Sequence, residues 1–128
     1  MKTLPDNELN TELQELYLTG KQWLSDVEFL SIEQCFLHSL LNQPNFFSIP
    51  NAASRFADDL VRTEGEERQL YLHILGFMNQ LELLICQATI NLEMQLIEDF
   101  SLLQTEVADA LGHLKALKYR MIEQKNIN

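Results

Sequence analysis

The sequence predicts an all-α fold, an antiparallel up-down-up bundle of three long helices in a single domain spanning residues 1–128. Three observations predict it. Apolar residues recur at alternating steps of three and four along three extended registers. Proline is confined to Pro5, Pro44 and Pro50, so none interrupts the chain from Ala52 to Asn128. Glycine occurs only four times in 128 residues, and helices suffer from both types, by ~1 kcal/mol for an interior Gly and ~3 for Pro.

The first register runs Leu9, Leu13, Leu16, Gly20, Trp23, Val27, Leu30, Gln34, Leu37, Leu41. The second runs Phe56, Leu60, Thr63, Glu67, Leu70, Ile74, Phe77, Leu81, Leu84, Ala88, and dies thereafter. A third begins in a new phase with Leu96, Phe100, Leu103, Val107, Ala110, Leu114, Leu117, Met121. Of these 28 positions 24 are apolar, where a composition of 46% gives about 13; residue order, not composition, makes the seams. Such seams belong to helices packed against near-parallel neighbours.

The breaks agree with the phases. Asn42-Gln43-Pro44-Asn45 ends the first helix, and Ser48-Ile49-Pro50-Asn51 supplies a cap and a first-turn proline for the second. A tight turn is expected at residues 89–91, with Asn91 as cap and Glu93 favourable in the first turn. The alternative there is one continuous helix, because no glycine marks the turn. The helices are therefore expected at about 7–42, 50–88 and 92–124. A break at Gly20 would give a short fourth helix, and Gly65 would interrupt the second. Both registers continue across their glycine, which favours weakened helices over broken ones.

Composition narrows the function. A net charge of −10, with no run of basic residues, excludes nucleic acid and opposes docking to an anionic membrane. The first eight residues lack the apolar core of a signal peptide, and no stretch is long and apolar enough to span a bilayer. Cys35 and Cys86 fall ~40 Å apart along a bundle and are expected as free, semi-buried thiols in the cytoplasm.

No nucleophile elbow, phosphate loop, Glu-x-x-His or Cys-x-x-Cys occurs, so neither catalysis nor a cofactor is expected. One polar cluster stands out. Antiparallel pairing brings Glu67 of the second helix level with His113 of the third, and Asp109 lies one turn from His113. Asp26 and Ser25 of the first helix come to similar height. Such a set would hold a divalent cation or a small ligand, or it forms a solvated or register-fixing polar pair.

Helix one carries more apolar residues than its seam can bury. Leu18, Phe29, Ile32 and Phe36 form a second stripe roughly opposite Trp23, Val27 and Leu30, with Phe46 and Phe47 placed to extend it. Leu72, Leu75 and Leu83 give helix two a fainter version, whereas helix three reads as one-sided. Contiguous exposed aromatics mark interfaces. A protein-interaction or scaffold bundle, most simply a homodimer or a binder of a partner helix, is the expected function. The alternatives are a first helix buried on both sides by a fourth or a folded-back N-terminus, and the ligand- or metal-binding bundle just described.

The segment Lys21-Gln22-Trp23-Leu24-Ser25-Asp26-Val27-Glu28-Phe29-Leu30 resembles the tryptophan-containing first helix of small, uncharacterised bacterial helical proteins. That resemblance implies two further amphipathic helices and brings no site residue with it.

Overall fold

The computed structural model describes residues 6–47, 51–86 and 94–125. Three helices make up nearly all of them: α1 (Asp6–Leu41), α2 (Ala52–Cys86) and α3 (Met94–Glu123). Among the described residues the one extended pairing is an isolated bridge between Phe47 and Lys125. Contacts set the directions. Trp23 meets Phe77 while His38 meets Glu64, so α1 and α2 run antiparallel. Trp23 also meets Phe100, and Glu33 meets Lys118, so α1 and α3 run parallel. The result is the expected up-down-up bundle, with all three helices packed on one another.

The three seams form its core. Leu13, Trp23, Val27, Leu30 and Leu37 of α1 are buried against Phe56, Leu60, Leu70, Ile74, Phe77 and Leu81 of α2 and seven residues of α3 from Leu96 to Met121. At mid-height the rings of Trp23, Phe77 and Phe100, one from each helix, stack within 5.1–6.0 Å of one another. Aromatic contacts of this kind add about 0.5–1.5 kcal/mol beyond area burial. Lower in the core, the buried Gln34 donates to Thr63 Oγ1 at 3.5 Å, and Thr63 donates to the Leu60 carbonyl at 2.8 Å. The polar seam positions Gln34 of α1 and Thr63 of α2 thus fall in one layer.

Both doubtful glycines lie inside unbroken helices. Gly20 is there for close approach: a Cβ on it would collide with the Sδ of buried Met78 from α2. Gly65 has no such neighbour within 4 Å.

The first turn follows the Asn-Pro-Asn signal. The Asn42 and Gln43 amides donate to the His38 and Leu40 carbonyls, closing α1, and Asn45 takes a left-handed φ of 60°. Asn51, φ 69°, precedes α2 and its carbonyl accepts from the Arg55 amide. Phe46 and Phe47 do not extend the outer stripe as expected. They are half-buried, and Phe47 stacks on Phe56 at 5.2 Å, so they plug the end of the core. The cap at residues 48–50, Ala88, the turn at 89–91 and its Asn91 and Glu93 lie outside the described residues, as does the side chain of Leu9.

Candidate functional site

His113 is level with the expected stretch of α2, but its Nδ1 lies 2.8 Å from Glu66 Oε2, not beside Glu67. One residue is 100° of helix rotation, and Glu67 feels the charge of Glu64, one turn back on α2. Partial burial raises the Glu67 carboxyl above its ordinary pKa; the Glu64 charge adds to this and the Arg68 charge opposes it. Asp109 is exposed, and Asp26 accepts from Gln22 on α1. Glu67, Asp109 and His113 therefore do not converge. Among the described residues no three His, Cys, Asp or Glu side chains are placed to hold a metal ion.

What the polar residues build is a ladder between helices. Asp59, Glu66 and His73 of α2 meet Arg120, His113 and Glu106 of α3 at 3.6, 2.8 and 2.9 Å. Both sets step by seven residues, so each pair repeats one heptad along. All three histidines of the chain are used this way, since His38 of α1 lies 3.2 Å from Glu64 of α2. The heptad spacing of these six residues is present in the sequence, but the rotation of each helix decides that Glu66, and not Glu67, is the partner.

The apolar stripe of α1 is at the surface. Leu18, Phe29, Ile32 and Phe36 are 47–65% exposed. Phe29 and Leu30 form one wall of a cleft of about 290 Å³, with Leu111, Leu114 and Tyr119 of α3 as the other. Two lysines rim it. Lys118 bonds Glu33 at 3.2 Å and sits 5.6 Å over the Phe36 ring, and Lys115 sits 5.9 Å over Tyr119. The cleft is the valley between two parallel helices, where an antiparallel fourth helix fits in a four-helix bundle.

Helix α3 is not one-sided, contrary to the expectation. Met94, Ile97, Tyr119 and Ile122 are 40–63% exposed. Polar and small residues interrupt the stripe that carries them, Met94, Ile97, Ser101, Gln104, Ala108, Leu111, Lys115, Lys118, Ile122, with Tyr119 beside it. On α2, Leu72 and Leu83 are exposed while Leu75 is half-buried. Cys35 and Cys86 are free thiols, as expected, but both are exposed and not semi-buried. Among the described residues no helix is long and apolar enough to cross a membrane.

Comparison of the chain with known protein families, with characterised proteins and with solved structures finds no match in any of the three.

Proposed function

We propose that this chain is a non-enzymatic interaction bundle, a cytoplasmic scaffold that docks a helix along the apolar face shared by α1 and α3. The helix belongs to a second copy or to a partner protein. One observation carries the reading: Leu18, Phe29, Ile32 and Phe36 stay about half exposed or more on a helix whose opposite face is already buried. Fully burying three such side chains contributes ~5–9 kcal/mol gross, before the costs of association. The polar residues support the same reading, because the ladder engages them in holding helices together.

The test is a Phe29→Asp/Phe36→Asp variant compared with the wild type. Chromatography of a native lysate on each immobilised protein should recover copies of the chain or a partner with the wild type alone. Circular dichroism of the variant should keep the wild-type helix content, since neither ring is in the core. Equal recovery by both proteins, or none by either, sinks the reading.

A further inference from the structure

We infer that this face docks on the same face of a second copy of the chain, α1 on α1 and α3 on α3, joined antiparallel about a two-fold axis through the levels of Val27 and Ala108. This inference rests on the docking face proposed above and names its occupant.

Two exposed stripes carry it. On α1, residues 18, 22, 25, 29, 32 and 36 repeat at steps of four and three, and on α3 residues 94 to 122 do the same. A heptad stripe reversed about its midpoint superposes on itself to within one residue, as an isologous contact requires. The midpoints are Val27 on α1 and Ala108 on α3, 81 positions apart in the chain. Independently, the side chains that meet across α1 and α3 are Trp23 with Phe100 and Glu33 with Lys118, separated by 77 and 85 positions. Those values bracket 81 evenly. Both stripes are therefore centred at one height of the bundle, where a single two-fold axis serves both.

Side chains match across that axis. On α1, Leu18 falls opposite Phe36 of the second copy, and Phe29 opposite Ser25, large against small. On α3, Met94 falls opposite Ile122, Ile97 beside Tyr119, and small Ala108 lies on the axis where the helices approach most closely. Charge fixes the orientation. From Met94 to Leu114, α3 has four acidic residues and no Lys or Arg, while four of the nine Lys and Arg of the whole chain lie between Lys115 and Lys125. Antiparallel pairing sets the basic half against the acidic half and brings Lys115 and Lys118 within a turn of Glu98. Asp26 falls opposite Glu28 of the second copy near the axis, so α1 contributes apolar area and α3 sets direction. Leu18, Phe29, Ile32 and Phe36 with Met94, Ile97, Tyr119 and Ile122 supply the exposed apolar area, where a standard stable interface buries about 800 Å² per partner.

Sedimentation equilibrium of the full chain should give twice the 14.9 kDa mass. Phe29→Asp/Ile122→Asp should return it to the single mass with helicity kept. Orientation is read by disulfide trapping in a Cys35→Ser/Cys86→Ser background. Chains carrying Ile97→Cys and Tyr119→Cys should cross-link when mixed, and neither should cross-link alone. Glu98→Lys, which sets a lysine opposite Lys118 of the second copy, should weaken the dimer about tenfold.

A dimer indifferent to Phe29→Asp/Ile122→Asp, or one trapped through Tyr119→Cys alone, overturns the inference. So does a monomer at 100-micromolar concentration. A monomer that still retains another protein through Phe29 and Phe36 removes the second copy and leaves the docking reading standing; a monomer that retains nothing removes both.

Discussion

At the scale of single residues, Gly20 and Gly65 both lie mid-helix, yet their substitutions are expected to act in opposite directions. Gly65→Ala meets open space and gains helix propensity, so it should stabilise the fold by up to ~1 kcal/mol. Gly20→Ala drives a methyl into the Met78 thioether, an overpacking cost of ~1–3 kcal/mol that outweighs the same gain. In a Met78→Ala background the sign should reverse, and urea midpoints of the four proteins check it. A second residue-scale prediction concerns Glu67. Burial raises its carboxyl pKa, so the folded chain binds that proton more tightly than the unfolded one. The sign of the linkage then has stability falling as pH rises from below the ordinary carboxylate range through the raised value. Glu67→Gln should therefore be more stable than wild type at pH 7 and lose that advantage near pH 3. An equal difference at both pH values would show that burial of the charge is not the cause.

At the scale of elements, three ladder pairs tie α2 to α3 while the buried Gln34–Thr63 layer ties α2 to α1. The ladder pairs are solvent-exposed, and exposed ion pairs contribute ~0.2–1 kcal/mol at most. Their use is register: sliding α3 by one turn sets Glu66 near Asp109 or Leu117 in place of His113. Breaking one pair with Glu66→Ala should cost under about 0.5 kcal/mol. Exchanging two rungs, with Arg120→Glu and Glu106→Arg, should cost more than the sum of the two single changes if the ladder acts as one register device, as thermal melts would show. The level of Glu66 and His113 was legible from antiparallel pairing alone. Which of two adjacent glutamates meets the histidine was not, because that choice depends on the rotation of each helix about its axis.

At the scale of the whole molecule, Trp23 reports on all three helices at once, since its ring touches Phe77 and Phe100. It is the chain's one tryptophan. Its emission and the far-ultraviolet circular dichroism should therefore unfold at the same urea concentration, as a single cooperative core requires. A Trp23→Ala change should cost ~3–5 kcal/mol, enough to threaten a domain of ordinary stability. Non-coincident transitions would mean that α3 leaves the bundle before α1 and α2 part.

The sequence by itself determined the three helices, their order and most of the core. Seam residues such as Leu30, Ile74 and Leu114 had to be buried because period and apolarity coincide there, and the Asn-Pro-Asn turn followed from backbone preference. It also set Leu18, Phe29, Ile32 and Phe36 on the face opposite the seam, while their exposure was decided by the tertiary structure. Only the tertiary structure decided the rest. It turned Phe46 and Phe47 inward against Phe56, used Gly20 as room for Met78, and gave His113 to Glu66. It also opened the cleft between α1 and α3. Those outcomes depend on the rotation and spacing of whole helices, which are set by the summed packing of many side chains and not by the local pattern of any one segment.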